Sequence, residues 1–372
     1  MKFLGSALVT LAAFFAAPAA AKAPLIDCPL RDAPYSSASP LIDILLNPAA
    51  RAVVERAAPG VTTRLPPQLM GTTPPSFAAI LTLREASGFL RMKSFDLPTI
   101  DRELAVIPVT VADKVARCAR YDSVPPQLVV PNGRPRVLLF EKINGFRDGP
   151  SVDAAHAAFV AMAERKGWAL VTTEKGSAFT PAILRRFDAV IWNNISGDVL
   201  TLTQRRAFQN YMERGGGFVG VHGSAGDPVY FWDWYVDTLL GARFAGHPMA
   251  PQFQMARVTL DDMTHPVAQG LRATWDMNDE WYSFKNNPRA SGSRIVATLD
   301  ETTYKPDGFG GVDLRMGDHP IAWSRCIGRG RMFYSAIGHR PERYSDAIYV
   351  QMLEQGVGWA ARSRGSNCKS AR

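Results

Sequence analysis

Residues 215–226 constrain the fold more than any other stretch, because an apolar run ends there in a histidine followed by small residues. Three glycines end a preceding helical pattern, and residues 218–221 have the character of a short buried strand. Gly220 and Gly223 flank His222 as glycines flank the nucleophile of a strand-to-helix elbow. A side chain at the carboxyl end of a central parallel strand faces the usual ligand crevice of an α/β sheet. We therefore predict a functional role for His222; the alternative is a packing histidine at a Gly-rich strand end.

Alternating strand and helix patterns surround this elbow from residue 135 onward. Patterns typical of buried strands occur at 136–140, 168–173 and 189–192, and helical patterns at 153–167, 182–187 and 203–214. Such alternation predicts a parallel sheet with helices on both faces. Beyond the elbow the pattern is less regular, with strands predicted at 258–260, 294–299, 320–323 and 331–335 and a closing helix at 344–361.

Residues 24–132 have a different texture, rich in proline and without strand–helix alternation. They contain no histidine, and short helices are predicted at 40–46, 48–58 and 77–83. We interpret them as a small helical module that serves packing, oligomer contact or the shaping of a substrate cleft. The predicted domain boundaries are 1–23 for a signal peptide, 24–132 for this module, 133–362 for the α/β domain and 363–372 for a tail.

The first 23 residues have the three parts of a secretory signal peptide. Lys2 supplies the positive charge, residues 3–17 form the apolar core, and small residues at 19–21 or 21–23 offer a cleavage site. The core is too short to span a membrane comfortably, and no other apolar stretch is long enough to do so. We predict an exported protein of the bacterial periplasm or exterior that binds no membrane.

The basic charge of the chain does not point to nucleic acid. Without Lys2 and Lys22 the chain has 40 basic against 34 acidic residues, and the basic residues are scattered rather than interleaved with aromatics. We therefore predict no nucleic-acid partner.

The four cysteines are Cys28, Cys118, Cys326 and Cys368, and none belongs to a Cys-x-x-Cys motif that would suggest a thiolate metal site. In an oxidising compartment pairing is the default. We favour Cys28–Cys118, which would staple the N-terminal module, and Cys326–Cys368; the other two connectivities stay open.

Five of the six histidines adjoin a glycine or proline, which places them in loops or at strand ends: His222, His247, His265, His319 and His339. The sixth, His156, lies within a helical pattern and is interpreted as a surface or packing residue. The acidic pair Asp279–Glu280 directly precedes Trp281 and Tyr282, a mixture typical of sugar-binding clefts. A loop whose aromatic side chains cover the core is the equal alternative.

Imidazoles combined with a carboxylate also suit a divalent ion such as zinc. No His-x-x-x-His spacing is present, so distant loops would have to assemble the metal site. Other enzyme classes fit less well. Ser224 does not lie in a Gly-x-Ser-x-Gly motif, His222 stands where glutamine amidotransfer needs a cysteine, and no P-loop motif is present.

The ordered motifs of residues 135–362 resemble those of the ThuA-like family, the trehalose-utilisation group. The motifs are Gly-Phe-Arg at 145–147, Asp-Ala-Val-Ile-Trp at 188–192, Gly-Gly-Gly-Phe-Val-Gly-Val-His at 215–222, Leu-Gly-Ala-Arg-Phe-Ala-Gly-His-Pro at 240–248, His-Pro-Val at 265–267, Asp-Glu-Trp-Tyr at 279–282, His-Pro-Ile-Ala-Trp at 319–323 and Gly-Arg-Gly-Arg-Met-Phe-Tyr at 328–334 with Gly-His at 338–339. The resemblance implies a flavodoxin-like fold related to class I glutamine amidotransferases, with histidine replacing the nucleophilic cysteine. It also implies sugar catabolism, notably of disaccharides oxidised to 3-keto sugars. The chain departs from the family at Asp148, where Phe-Arg-His is usual.

Together these features predict an exported carbohydrate-processing enzyme that acts on a glycoside or 3-keto sugar by acid–base chemistry, with or without a divalent metal such as zinc. The predicted catalytic residues are His222, Glu280 and Arg147. The predicted substrate-binding residues are Asp148, Asp227, Asp279, Trp281, Tyr282 and His319. His247 and His339 are the predicted metal ligands, with His222 and Glu280 as further candidates. A non-catalytic sugar-binding or accessory protein, and a scaffold acting through the helical module, stay open as alternatives, as does a homo-oligomer.

Overall fold

A computed structural model describes residues 25–60, 67–89 and 96–361. The predicted signal peptide and C-terminal tail, with Cys368, lie outside the described residues. Among the residues described, no helix is long and apolar enough to cross a membrane.

The N-terminal module consists of short helices and turns. Its α-helices are α1 (Leu41–Leu46), α2 (Pro48–Ala57), α3 (Pro67–Met70), α4 (Leu83–Phe89), α5 (Leu97–Ala105) and α6 (Val111–Cys118). Helix α2 begins as its sequence predicts, with proline at the first position and the Asn47 side chain accepting a hydrogen bond from the Ala50 amide. The predicted helix 77–83 is wrong. Only Phe77–Ala79 forms a 3₁₀ turn, because residue 82 pairs with Pro40 in an extended bridge.

The module is held together by cross-links between distant residues rather than by one large core. Cys28 and Cys118 form the predicted disulfide. Arg120 makes a buried ion pair of 2.6 Å with Asp43. The described apolar side chains of the module divide into three small clusters. A small module of this kind gains much of its stability from such staples.

The α/β domain contains eleven described strands: β1 (Arg136–Phe140), β2 (Ala169–Thr173), β3 (Ala189–Asn193), β4 (Gly217–Val221), β5 (Phe244–Gly246), β6 (Phe253–Leu260), β7 (Thr274–Glu280), β8 (Ser283–Phe284), β9 (Arg294–Asp300), β10 (Pro320–Ile327) and β11 (Gly330–Ser335). Nine of them form one sheet in the order β2-β1-β3-β4-β11-β10-β9-β6-β7. The first five are mutually parallel. Counted in chain order they follow the 2-1-3-4-5 arrangement of flavodoxin-like folds, so the predicted fold is confirmed.

The remaining four strands of the sheet run antiparallel to their neighbours, which the predicted parallel sheet did not include. Strand β7 carries polar side chains at most of its exposed positions, and its sequence does not predict a strand. Its place is determined by pairing with β6 over seven residue pairs. The loops and strands 244–314 thus extend the sheet beyond its parallel part and bring Glu280 to the edge of the parallel strands.

The helices of the domain are α7 (Gly149–Lys166), α8 (Pro181–Leu184), α9 (Leu202–Glu213) and α10 (Ala347–Ala361). Two close approaches show that they cover both faces of the sheet. A Cβ on Gly217 would lie 2.6 Å from the Ala360 carbonyl of α10, and one on Gly330 would lie 2.3 Å from the Met212 carbonyl of α9. Gly217 pairs with the residue after Gly330, so the two glycines point to opposite faces.

Candidate functional site

His222 directly follows β4, and its backbone has an unusual conformation. Its φ angle is +34°, in the left-handed region that non-glycine residues rarely adopt. Hydrogen bonds from the flanking strands hold this turn: Tyr334 donates to the His222 carbonyl at 2.8 Å, and the Gly223 amide donates to Asn194 at 3.1 Å. A strained strand-to-helix elbow of this kind projects a side chain from the top of the sheet.

The imidazole of His222 is buried and oriented by its surroundings. Its Nδ1 atom lies 2.7 Å from the carbonyl oxygen of Ala336, which can only accept a hydrogen bond. Nδ1 therefore carries the proton of the neutral ring, and Nε2 offers a lone pair. The ring stacks on Tyr282 with centroids 4.1 Å apart, which fixes its plane.

Two side chains from distant parts of the sequence approach the Nε2 atom of His222. Nε2 of His222 lies 3.1 Å from Nδ1 of His339 and 3.3 Å from Oε2 of Glu280. Nδ1 of His339 lies 3.0 Å from the same Glu280 oxygen. His247 adds a fourth group, with Nδ1 3.3 Å from Glu280 Oε1. The structure thus brings together two of the predicted catalytic residues, His222 and Glu280, and the two predicted metal ligands, His247 and His339.

The charges in this cluster stabilise each other. Burial alone would raise the pKa of Glu280, but the hydrogen bond from His339 and the charge of His247 hold it well below its usual range. Burial alone would lower the pKa of His339, but the Glu280 carboxylate, helped by Asp148, raises it. Glu280 is therefore ionised, and His339 keeps its extra proton to a higher pH than an ordinary histidine.

The same cluster has the donor set of a divalent metal site. Ligand atoms of His222, Glu280 and His339 all lie within 4.8 Å of one another. In tetrahedral zinc sites, with ligands about 2.0–2.1 Å from the ion, neighbouring ligand atoms are roughly 3.3 Å apart, close to the separations found here. Two imidazoles and one carboxylate also leave the fourth position open, as in catalytic zinc sites. These residues therefore fit a metal, although the separations equally suit direct hydrogen bonds.

The cluster lies at the base of a cleft with a volume of about 730 Å³. Of the residues predicted to form the site, seven line it: Asp148, His222, Asp227, His247, Glu280, Tyr282 and His339. The loops after β1, β3 and β4 supply Asp148, Asn194 and His222. The cleft therefore lies at the carboxyl ends of the parallel strands, the usual ligand site of such sheets.

A family model described as ThuA, trehalose utilisation, matches residues 136–360, more than half of the chain. The chain belongs to the ThuA family. A solved structure described as ThuA-like, from Bacteroides uniformis ATCC 8492, is 27% identical, with a TM-score of 0.54 over 63% of this chain and 94% of that one. A second ThuA-like protein, from Parabacteroides merdae ATCC 43184, is 18% identical, with a TM-score of 0.47 over 64% and 91%. No protein of curated function matches the sequence.

Asp148 stands at the position where the sequence resemblance to the ThuA-like family predicts a histidine. It immediately precedes α7, and its carboxylate accepts a hydrogen bond from Ser151, a side chain that also contacts the His339 carbonyl. The second carboxylate contact is to His339, whose Nε2 lies 3.7 Å from Asp148 Oδ2. In this ThuA-family member the position therefore contributes negative charge beside His339.

Asp227 is the second acidic group of the cleft and differs from Glu280 in its surroundings. It accepts hydrogen bonds from Ser196 at 2.5 Å and from the Gly197 amide at 2.7 Å, and no cation pairs with it among the described residues. Burial raises its pKa to about 7, against the effect of these hydrogen bonds. Its carboxyl group can therefore hold a proton near neutral pH.

Four predicted residues do not line the cleft. Asp279 is fully buried and accepts hydrogen bonds from the amides of Gly338 and Arg340, so it holds the loop that carries His339. Trp281 is a core residue whose indole donates to the Gln254 carbonyl.

His319 is also buried, between Glu301 and the Tyr282 carbonyl. Arg147 makes an ion pair with Asp153 on the surface and borders a different cavity.

Several residues that line the cleft are not predicted from the sequence. Asn194 follows β3 as His222 follows β4, and this shared position at a strand end could have revealed it. Gln252, which donates to Glu280, comes from an irregular loop and carries no comparable signal. Phe77 and Ile80 come from the N-terminal module, which the ThuA match does not cover. Only the packing of the module against the domain places them in the cleft.

Proposed function

We propose that this ThuA-family protein is an exported enzyme that acts on a glycoside or 3-keto sugar by acid–base chemistry. The observation that carries the proposal is the oriented Nε2 lone pair of His222, buried beside an ionised carboxylate at the base of a large cleft. Such a group is suited to accept a proton from a carbon acid. The predicted signal peptide supports export.

The chemistry that fits this site is β-elimination from a 3-keto-glycoside. The carbonyl at C3 acidifies the proton on C2, which His222 Nε2 removes as the C2–H electrons form an enolate. The enolate then expels the glycosidic oxygen from C1, which leaves a C1–C2 double bond and an aglycone that takes up a proton. Asp227 can supply that proton, since burial raises the pKa of its carboxyl to about 7.

The developing enolate needs a positive or hydrogen-bonding partner. Protonated His339, held by Glu280, can donate a hydrogen bond to it, whereas Arg147 points away from the cleft. His222, Glu280 and His339 would hold a divalent metal, which when bound supplies Lewis acidity to a carbonyl oxygen. In the metal-free site Glu280 is the competing base.

Incubating the purified protein with a panel of 3-keto-glycosides, with aglycone release followed by chromatography, tests the proposal. Release that is lost in His222→Asn supports it. Absence of release from every keto-glycoside, together with unchanged glycosides recovered, would overturn it.

A non-catalytic sugar-binding role is the second candidate, because Asp148 stands where the resemblance to the ThuA-like family implies a histidine. Tight binding of keto-sugars without any turnover, in the presence and absence of added zinc, would favour this role.

A further inference from the structure

We propose that the outer part of the cleft is a subsite for an apolar, aromatic aglycone, so that the substrate is an aryl glycoside rather than a disaccharide. The inference rests on the proposed function for the sugar-binding base of the cleft. It concerns a different part of the same cleft, namely the apolar side chains at the mouth of the cleft.

Exposed aromatic side chains are concentrated at this one place. Among the described side chains, three phenylalanines are classed as exposed: Phe146, Phe253 and Phe309, with 41, 37 and 49% of their surface accessible. All three line the cleft. Met249 and Val312, also exposed, lie beside them on the cleft wall. Such a cluster of exposed apolar surface is typical of a ligand-binding site.

The apolar surface begins directly beside the reactive groups. The ring of Phe146 stacks 6.3 Å from the His339 ring, and that of Phe253 lies 5.2 Å from it. Phe77 continues the surface outward, 5.0 Å from Phe146. Aromatic side chains would therefore lie within reach of the anomeric substituent of a sugar ring bound at His222 and His339.

The chemistry of the lining does not suit a second sugar ring or an anion. A sugar presents hydroxyl groups around its edge, and these need carboxylates, amides or hydroxyls as partners. The polar lining residues are instead grouped near His222. Asn194 accepts a hydrogen bond from the Gly223 amide, and Ser196 donates one to Asp227. No lysine or arginine of the described residues lines the cleft, and the protonated histidine there, His339, is already paired with Glu280.

Part of this subsite is supplied by the N-terminal module. Phe77 and Ile80 lie before residue 136, where the ThuA match begins. Ile80 sits against the loop after β1, since a Cβ on Gly145 would lie 2.5 Å from its side chain. The module therefore gives this chain a cleft wall that the matched family domain does not contain, and with it a substrate preference of its own.

Calorimetry with the His222→Asn variant tests the subsite without turnover. The probes are phenyl and methyl 3-keto-glucosides of both anomeric configurations, and 3-keto-trehalose. Burying a phenyl group predicts at least about tenfold tighter binding than of the methyl glycoside. Equal affinities for the phenyl and methyl compounds would overturn the inference.

Further substitutions, made in the His222→Asn variant, test whether the preference for the phenyl glycoside depends on the proposed side chains. Phe77→Ala and Phe146→Ala are each expected to reduce the phenyl-to-methyl affinity ratio by about threefold to tenfold. Met249→Ala is compared with Met255→Ala, an exposed methionine that does not line the cleft and is expected to keep the ratio. An unchanged ratio in both phenylalanine variants would overturn the inference.

The subsite and the proposed reaction can fail separately. Turnover of keto-glycosides with no preference for the phenyl aglycone would refute the subsite and leave the reaction standing. Phenyl-selective binding that depends on Phe77 and Phe146, without any turnover, would support the subsite and refute the reaction.

Discussion

The Nε2 atom of His222 lies 3.1 Å from the Nδ1 atom of His339, although 117 positions separate the two residues in the sequence. Because Nδ1 of His222 already donates to the Ala336 carbonyl, its Nε2 can only accept in the neutral ring. His339 must then be the donor, toward His222 or toward Glu280. The pair therefore combines a base and an acid within one hydrogen-bonded cluster, which is the property that acid–base catalysis requires.

Replacing His222 with asparagine is expected to reduce turnover of a keto-glycoside by roughly two to four orders of magnitude, the usual scale of general acid–base catalysis. Asparagine tolerates the left-handed backbone conformation of this position, so the fold should survive. Rates and melting temperatures are measured together, with His156→Gln as the control because His156 contacts Glu141 outside the cleft. A wild-type rate in His222→Asn would show that the residue is structural.

Metal binding is expected to depend on the three-residue cluster. Protein purified after growth with zinc should contain about one divalent ion per chain by elemental analysis, and Glu280→Gln and His339→Ala should lose most of it. His156→Gln should retain the wild-type content. If the wild-type protein binds no ion after dialysis against zinc and buffer, the cluster is held by hydrogen bonds alone.

The contribution of Asp227 to the stability of the folded protein is expected to fall as the pH rises from about 4 to about 7. Its pKa is about 7 in the folded protein, whereas the ordinary value is 3.8, so the folded state binds the extra proton across this range. The contribution of Asp227 to the free energy of unfolding is fully present below about pH 4. It is lost progressively as the pH rises to about 7, at up to about 1.4 kcal/mol per pH unit.

Asp227→Asn imitates the protonated carboxyl, because its amide can donate to Ser196 and its oxygen can accept from Gly197. Urea unfolding at several pH values should show that the stability of this variant, relative to that of the wild type, rises with pH from about 4 to about 7. Asp153→Asn, at an exposed carboxylate on α7, serves as the matched control. The same slope in wild type and Asp227→Asn would refute the assignment.

The Cys28–Cys118 disulfide is expected to stabilise the N-terminal module by on the order of 2–5 kcal/mol, since it closes a loop with a sequence separation of 90. The double variant Cys28→Ser with Cys118→Ser should unfold at lower urea concentration and become sensitive to protease within residues 25–132. Thiol titration of the unfolded, unreduced wild type should detect few free thiols. Four free thiols would contradict the pairing.

The sequence by itself determined the parallel half of the domain and the position of its main functional residue. Strands β1, β3 and β4 and helices α7 and α9 follow from periodicity, glycines and capping residues within about fifteen neighbouring positions. The strand end before His222 was recognisable for the same reason. Motifs added Glu280, His247 and His339 as candidates, since each adjoins a glycine, a proline or an acidic pair.

Only the tertiary structure decided which candidates act together. Strand β7 joins the sheet through long-range pairing with β6, which places Glu280 beside His222 and turns Trp281 into the core. Packing of the N-terminal module brings Phe77 to the cleft, and the surface ion pair with Asp153 takes Arg147 away from it. Local sequence patterns determine whether a segment is a strand or a helix, but side-chain direction and distance across the fold depend on contacts between residues far apart in the chain.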